Sequence, residues 1–348
     1  MHNEAHRNDK ELFFEIKRMI EAARTVVSQT VNTELTLMYW HIGKRINEEV
    51  LKQERAEYGK AIVTKLSRQL TEEYGNGYAE KSLRRMIQFQ ECFPEVEIVA
   101  TLSRQLSWSH FVEIIPLKTD LERGFYAQMC RIERWSVRTL RDKIRSMLFE
   151  RTAISQKPEE LARLELKTLQ NEDQLSPDLV FRNPYILDFL GLKDSFLEKD
   201  LEAAILDKLE NFLLELGRGF AFLERQKRMI IDGKDYKLDL LFYHRKMKRL
   251  IAIDLKIGPF EAAYKGQMEL YLRWLEKHET ETEEEQPIGL ILCAEGNTEQ
   301  IELLQLDETN IKVAQYITQY LPKDLLKQKL HQFVAASRKQ LDNPSSLE

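Results

Sequence analysis

The sequence predicts an α+β protein, with an all-helical N-terminal domain followed by a domain in which helices and strands mix. Apolar residues recur at helical spacing through the first 150 residues, and the spacing predicts two successive helices at the start, Glu11–Val27 and Thr33–Leu51. Strand-like alternation comes later and is clearest from Tyr236 to Gly258. A transitional segment rich in turn residues separates the two patterns. We therefore predict domains at residues 1–170 and 171–342.

Composition narrows the class of protein. A chain of 348 residues suggests two domains or one large one, and a net charge of −5 argues against a globally basic nucleic-acid binder without excluding clustered charge. The three cysteines, Cys92, Cys130 and Cys293, include no Cys-x-x-Cys pair, which argues against a disulfide framework or zinc cluster and fits a reducing cytosol. No signal peptide or long apolar run is present, so we expect a cytoplasmic protein that does not enter a membrane.

Two short apolar runs between Tyr236 and Gly258 flank a basic turn, His244 to Arg249, and this arrangement predicts a β-hairpin. Because side chains alternate along a strand, the apolar residues of the first run should share one face. That set is Tyr236, Leu238, Leu240 and Phe242. Asp239 then lies on the opposite face, and by the same alternation Asp254 and Lys256 share one face of the second strand.

The two aspartates of this hairpin are predicted to lie close together. When the apolar faces of the strands are placed on the same side, Asp239 lies opposite either Ala252 or Asp254. Two carboxylates about 4–6 Å apart repel each other unless a cation lies between them, and the candidates are Lys256 and a divalent metal. Paired oxygen ligands suit Mg²⁺, which takes one or two carboxylates together with substrate phosphate. The alternative is a surface ion pair of Lys256 or Lys237 with an aspartate.

The order helix, three strands, helix, strand from Leu197 to Ala294, with Asp239 and then Asp254-Leu255-Lys256, resembles the PD-(D/E)XK nuclease superfamily. The resemblance implies a restriction-endonuclease-like domain with a central mixed sheet. Gln267 and Tyr271 resemble the Gln-x-x-x-Tyr element of some branches, which implies substrate binding. A packing amide bonded to the backbone is the alternative for Gln267. No proline precedes Asp239, and the middle acid is aspartate where glutamate is commoner.

A helix over Leu197–Leu216 would lie where related nucleases carry an additional metal-binding acid, which makes Glu202 a candidate third ligand. Its apolar neighbours make the charged carboxylate costly to bury unless it is paired. The alternative is an ion pair with Lys199 or Lys208.

Two groups of basic residues are predicted to contact nucleic acid. Arg225 and Lys227, on the first predicted strand of the C-terminal domain, place positive charge beside the acidic centre, where they would hold a phosphodiester backbone. The helices before and after Gly75-Asn76-Gly77 outline a helix-turn-helix, and polar-face residues of the second helix would contact phosphate or a groove. These residues are Lys81, Arg84 and Arg85. The alternative is an exposed face of a helical bundle.

Short segments of the N-terminal half resemble the helical domain of a widespread bacterial family, the YhcG-like proteins, which join that domain to a PD-(D/E)XK domain. They are Trp108-Ser109-His110, Phe125-Tyr126 and Trp135-Ser136-Val137-Arg138. In the C-terminal half, Gly258, Gly266-Gln267-Met268 and Ile288–Cys293 match the same family. The resemblance covers most of the chain and implies a nuclease. His110, between Trp108 and Phe111, is predicted to be packed and hydrogen-bonded rather than catalytic.

Together these patterns predict a Mg²⁺- or Mn²⁺-dependent nuclease that hydrolyses phosphodiester bonds of DNA. Asp239 and Asp254 would bind the metal, with the Leu255 carbonyl and Glu202 completing the site. Lys256 would orient or help deprotonate the attacking water, and because it is not a ligand we expect Lys256→Met to leave metal affinity nearly unchanged. DNA is the expected partner, and a homo-oligomer is compatible with the sequence. The alternatives are a catalytically silent nuclease-fold module that binds DNA, and an assembly scaffold.

Overall fold

The computed structural model describes residues 2–51, 56–192, 196–296, 298–304, 306, 309–322, 324–328 and 330. Its internal contacts divide the chain into two units, Met1–Asp142 and Lys143–Glu348. This division falls earlier in the chain than the domain boundary predicted after residue 170. The predicted domain boundary stays a prediction. No helix in the described ranges is long and apolar enough to cross a membrane.

The first unit is helical. Its α-helices are α1 (His2–Leu51), α2 (Ala56–Tyr74), α3 (Glu80–Cys92), α4 (Val96–Ser103), α5 (Trp108–Ile114) and α6 (Asp120–Glu133), and α7 (Val137–Arg145) continues into the second unit. The two helices predicted at the start are wrong, since α1 runs without a break. Residues 28–32 contain neither proline nor glycine, so nothing stops helix propagation there. The Thr30 hydroxyl instead donates back to the Val26 carbonyl at 3.0 Å, as it does within a continuous helix.

The C-terminal half of α1 packs with α2 and α3. The shared apolar core consists of Ile46, Val63, Leu83 and Met86. The α1 and α3 backbones meet at Gly43, where a Cβ atom would lie 1.9 Å from the Met86 carbonyl oxygen. Glycine is required at this position because any side chain would overlap the α3 backbone.

The second unit builds a mixed sheet between helices. Its α-helices are α8 (Leu148–Arg151), α9 (Glu159–Glu172), α10 (Pro177–Val180), α11 (Glu198–Asp207), α12 (Leu209–Leu216), α13 (Ala263–His278) and α14 (Thr298–Leu303). Its strands are β1 (Tyr185–Ile186), β2 (Phe220–Ile231), β3 (Lys234–His244), β4 (Arg249–Pro259), β5 (Ile288–Glu295) and β6 (Ile311–Ile317), in the spatial order β1-β6-β5-β4-β3-β2. β2, β3 and β4 pair antiparallel, whereas β4, β5, β6 and β1 pair parallel. The prediction of a helical N-terminal region followed along the chain by a domain with a mixed sheet is confirmed.

Each face of the sheet carries its own apolar core. α11 and α12 cover one face through Leu201, Ile205 and Phe212, and α13 covers the other through Met268 and Leu275. The two cores bury the strands on both sides, which explains the nearly continuous apolar run of β5.

Strand β4 supplies the two cores alternately, as the sequence predicts. Ile251, Ile253 and Leu255 pack toward α11, while Leu250 and Ala252 pack toward α13. Because this alternation is unbroken, Asp254 and Lys256 lie on the α13 face of β4.

The faces predicted for β3 are wrong in its first half. Leu240 and Phe242 pack toward α11, but Leu238 packs toward α13 together with Leu241. The ladder with β2 is irregular here: its register shifts between Phe222 and Glu224, and no pair forms between Gln226 and Asp239. The ladder pairs Arg225 with Leu240 and Lys227 with Leu238, while Gln226 between them has a left-handed φ of 48°. The faces of β3 change between Leu238 and Leu240, across from this residue.

Candidate active site

The site forms where the hairpin of β3 and β4 opens. The ladder runs from His244↔Arg249 to Leu240↔Ile253, and continuing this register by one residue sets Asp239 opposite Asp254 rather than Ala252. Beyond the last pair, the Leu255 backbone N–H donates to Asp239 Oδ2 at 2.8 Å. The Asp239 carboxylate thus accepts a hydrogen bond from a strand N–H, in the role that a backbone carbonyl has elsewhere in the ladder. This bond fixes the β3 acid against the Asp254-Leu255-Lys256 segment of β4.

Asp254 and Lys256 form a largely buried ion pair on the α13 face of β4. The Lys256 Nζ lies 2.9 Å from Asp254 Oδ2, and the two side chains are only 12% and 5% exposed, respectively. Burial raises the pKa of Asp254 to about 6, although the Lys256 ammonium opposes the rise. Burial also disfavours the charged ammonium, but the Asp254 carboxylate outweighs it and raises the pKa of Lys256. Lys256 is therefore a cation at neutral pH.

Glu202 reaches the same centre from α11. The Gln226 amide nitrogen donates to Glu202 Oε2 at 2.8 Å and to Asp239 Oδ1 at 3.1 Å. Glu202 Oε1 is buried and has no hydrogen-bond partner in the described part of the chain, with Arg225 Nε 3.7 Å away. Burial, followed by the negative charge of Asp239, raises the pKa of Glu202. The alternative ion pair of Glu202 with Lys208 does not form, because Lys208 pairs with Asp207.

Two residues at this centre escape the sequence analysis. Gln226 is one, and no sequence pattern reveals it because its position depends on the left-handed backbone within β2. Glu198 is the other, and its charge raises the pKa values of both Asp254 and Lys256. The spacing of Glu198 and Glu202, one helical turn apart on α11, is a signal that could have revealed it.

Gln267 and Tyr271 connect α13 to β3. The Gln267 amide nitrogen donates to the Tyr271 hydroxyl at 2.6 Å, and that hydroxyl donates to the Lys237 carbonyl at 3.2 Å. Tyr271 is buried, which raises its pKa and keeps the hydroxyl protonated. The pair anchors the helix beside the acids, and its predicted contact with substrate stays a prediction.

The predicted backbone-binding residues of β2 differ in their surroundings. Arg225 is 66% exposed beside Glu202. Lys227 is held at 3.0 Å by Glu224 and at 2.8 Å by Glu279, so its charge is largely neutralised within the protein. Arg225 is accordingly the better placed of the two to meet a phosphate, and both contacts stay predictions.

The predicted nucleic-acid contacts of the first unit lie on α3, after a short 3₁₀ turn at Asn76–Tyr78. Lys81 is exposed and Arg85 is half-buried, whereas Arg84 pairs with Glu80 at 2.6 Å on the same helix. No contact identifies a ligand for this face, within the residues that the structure describes. The role of Lys81, Arg84 and Arg85 stays a prediction.

His110 is packed and hydrogen-bonded, as the sequence predicts. Its Nδ1 accepts from the Ser107 backbone N–H at 3.0 Å, and its Nε2 lies 3.0 Å from the Trp135 carbonyl. The first bond makes Nδ1 the acceptor, so Nε2 carries the proton and donates. Burial lowers the pKa of His110, which favours this neutral form.

The acids of the second unit suit a hard divalent cation. Asp239 interacts electrostatically with both Glu202 and Asp254, and one buried Glu202 oxygen lacks a hydrogen bond. Among the described residues, no group of three or more histidine, cysteine, aspartate or glutamate side chains is placed to hold a metal ion together. An open site with one or two carboxylates is the arrangement that Mg²⁺ usually takes, whereas a closed cage is typical of structural zinc.

Comparison with known proteins shows the family to which the chain belongs. The DUF1016 N-terminal domain matches residues 15–151, and the YhcG PDDEXK nuclease domain matches residues 178–331. A protein of Escherichia coli (strain K12) named "Putative nuclease YhcG" is 35% identical over 310 residues, which cover 80% of this chain and 82% of that protein. The chain belongs to the YhcG family. Membership confirms the predicted union of a helical N-terminal domain with a PD-(D/E)XK nuclease domain.

Two solved structures also match part of this YhcG-family chain. A repair endonuclease from Pyrococcus abyssi matches 35% of the chain with 19% identity and a TM-score of 0.26. The EndoMS–dsDNA2 complex matches 37% of the chain with 14% identity and a TM-score of 0.27. The matched region spans 49% of each of those chains. The nuclease domain of the YhcG family itself covers β1 to β6, and so includes the whole acidic centre.

Proposed function

We propose that the second unit is a Mg²⁺- or Mn²⁺-dependent deoxyribonuclease. The observation that carries the proposal is the bond from the Leu255 N–H to the Asp239 carboxylate, which brings the β3 acid onto the Asp254-Leu255-Lys256 segment. Acids from two strands meet there beside a buried cation, in a domain of the nuclease family. A purely structural ion pair would need only Asp254 and Lys256. The additional acids, Asp239 and Glu202, exceed that need.

Asp239 and Asp254, with Glu202 and the Leu255 carbonyl, would hold the divalent cation. The bound cation would polarise a phosphoryl oxygen and lower the pKa of the attacking water. The chain's own contribution is to keep these oxygen ligands in place before substrate arrives. The Leu255 N–H fixes Asp239, and Lys256 keeps the buried Asp254 largely ionised at neutral pH.

Lys256 acts in this proposal as a cation that orients water and offsets phosphate charge. Its raised pKa argues against the alternative role of proton acceptor. A positively charged side chain fixed beside a negatively charged transition state stabilises that state without having to reorganise during the reaction.

DNA is the proposed substrate, held through its phosphates. Besides Lys256, exposed Arg225 next to Glu202 provides positive charge at the site, and the basic turn at the closed end of the β3–β4 hairpin adds more. Contacts of this kind set affinity without selecting a sequence. The three cysteines are free in the structure, which fits work in a reducing compartment.

Cleavage assays with wild type beside Asp254→Ala test the proposal. Supercoiled, linear and branched DNA and a single-stranded RNA are incubated with Mg²⁺, with Mn²⁺ and with EDTA. We expect metal-dependent cleavage of DNA by wild type, none by the variant, and DNA binding by the variant within about threefold of wild type, because the phosphate contacts come from other residues. Wild-type inactivity on every substrate, with no calorimetric Mg²⁺ binding, would favour a silent DNA-binding module. Equal cleavage by both proteins would refute the site.

A further inference from the structure

Gln226 occupies an unusual backbone position inside a strand. Its φ of 48° is left-handed, a conformation that disfavours any residue with a Cβ atom. The other non-glycine residues with positive φ in the described chain lie at turns or helix ends. They are Arg134, Met147, Asp173, Asp232 and Lys248. Since backbone strain persists only where the surroundings enforce it, the contacts of the Gln226 side chain are the place to look for its purpose.

The Gln226 amide lies between two of the acids in the candidate site. Its nitrogen donates to Glu202 Oε2 at 2.8 Å and to Asp239 Oδ1 at 3.1 Å. Carboxylates only accept hydrogen bonds when ionised, so the amide must present its nitrogen and not its oxygen to them. Asp239 and Glu202 come from β3 and α11, and Gln226 is the bridge that links these two elements at the site.

We propose that Gln226 is a positioning residue that holds Glu202 and Asp239 together in the metal-free protein and yields its place to the divalent cation. A divalent cation held by both carboxylates would need the space between them that the amide nitrogen occupies. The cation and the amide nitrogen therefore compete for this space. The amide supplies only partial positive charge, so it reduces the repulsion without cancelling it. The inference rests on the proposed function, because it assigns the same acids to metal binding.

Removing the amide should therefore tighten metal binding rather than weaken it. In Gln226→Met the stem is kept but the donor is lost, which destabilises the metal-free protein and leaves the metal-bound protein almost unaffected. The amide donates to both carboxylates, and losing even one hydrogen bond to a charged acceptor corresponds to about tenfold in affinity. A residue with a merely structural role would lower stability in both states and leave metal affinity unchanged or reduced.

Mn²⁺ calorimetry and thermal unfolding, with and without EDTA, test this inference on the full chain. We expect Gln226→Met to bind Mn²⁺ about tenfold tighter than wild type, and to unfold several degrees lower in EDTA but near wild type in saturating Mn²⁺. The matched control is Gln286→Met, which likewise removes an amide with two hydrogen-bond partners, Glu276 and Asn310, each at 3.0 Å. Gln286 is exposed and lies away from the site, so this change should alter neither value. Equal or weaker Mn²⁺ binding by Gln226→Met would overturn the inference.

Gln226→Glu provides a second variant should the methionine variant fold poorly. A third carboxylate in place of the amide should lower the unfolding temperature in EDTA at pH 7 and enlarge the stabilisation by Mn²⁺. Stability equal to wild type in EDTA would contradict the inference. Asp239→Asn separates the two proposals. Loss of Mn²⁺ binding in Asp239→Asn without tightening in Gln226→Met overturns only the role of Gln226, whereas no Mn²⁺ binding by wild type overturns both.

Discussion

Replacing Lys256 with methionine removes the cation that keeps a buried carboxylate ionised. Lys256 Nζ lies 2.9 Å from Asp254 Oδ2, and burial already raises the pKa of Asp254 to about 6 with the ammonium present. A hydrogen bond between charged groups contributes about 1.5–3 kcal/mol, which corresponds to about one to two pKa units. In Lys256→Met the pKa of Asp254 should therefore rise from about 6 into the neutral range or above.

This shift changes the expectation drawn from the sequence, that the variant would leave metal affinity nearly unchanged. A protonated carboxyl group is a poor metal ligand, so the variant should bind Mn²⁺ up to about tenfold more weakly than wild type near pH 6.5. At pH 8.5 the carboxyl group is ionised in both proteins and the difference should largely vanish. Loss of a like charge beside the cation acts in the opposite direction, but it acts equally at both pH values, so the pH dependence isolates the effect on Asp254.

The assay is Mn²⁺ calorimetry on wild type and Lys256→Met at pH 6.5 and 8.5, with single-turnover DNA cleavage measured alongside. The control is Lys265→Met, since Lys265 pairs with Glu269 at 3.7 Å on α13 and donates to the Leu304 carbonyl, outside the acidic centre. Cleavage by Lys256→Met should fall by two or more orders of magnitude at either pH. A ratio of variant to wild-type affinity that does not change with pH would refute the claim that Lys256 keeps Asp254 ionised.

Three further predictions concern stability. Because the pKa of Asp254 is raised, the metal-free native state keeps a proton that the unfolded chain releases between about pH 4 and 6, so the free energy of unfolding falls as pH rises through that window. Urea unfolding should show wild type losing up to about 3 kcal/mol relative to Asp254→Asn between pH 4 and 7. Parallel pH dependences of the two proteins would contradict this prediction. Tyr271→Phe should cost about 1 kcal/mol by loss of the bond to the β3 backbone, whereas the exposed Tyr320→Phe should cost almost nothing in the same urea titration. Gly43→Ala should lower the unfolding temperature of the first unit severely because its Cβ would overlap the α3 backbone, while Gly77→Ala, which meets open space, should not; equal melting temperatures would refute the close approach.

The sequence predicted the fold, and the strand faces of Asp254 and Lys256, where local periodicity is unbroken. Alternation along β4 is regular, so the shared face of Asp254 and Lys256 followed directly from period two. The order of helices and strands, together with the motif residues, was enough to identify the mixed sheet. The hairpin register left two choices for Asp239, and the structure selects the one opposite Asp254.

Other features depend on interactions that periodicity does not encode. The sequence pattern predicted two helices separated between Val27 and Thr33, because the apolar spacing weakens there. A weak apolar pattern does not end a helix in a segment that lacks proline and glycine, and α1 is continuous. The faces of β3 were predicted from perfect alternation, whereas they change between Leu238 and Leu240, beside the left-handed Gln226 of the neighbouring strand. The side chain of Gln226 bonds to Glu202 and Asp239 on two other elements, and such tertiary contacts are not encoded in local periodicity.

The central claim is that the acids at the opening of the β3–β4 hairpin bind a divalent cation. Anomalous diffraction from crystals grown with Mn²⁺ tests it most directly, because the signal locates the metal without reference to activity. We predict a peak in contact with carboxylate oxygens of both Asp239 and Asp254, at the distance of about 2.1 Å typical of small divalent ions. A protein saturated with Mn²⁺ that shows no peak at these two residues, or a peak elsewhere in the second unit, would contradict the claim.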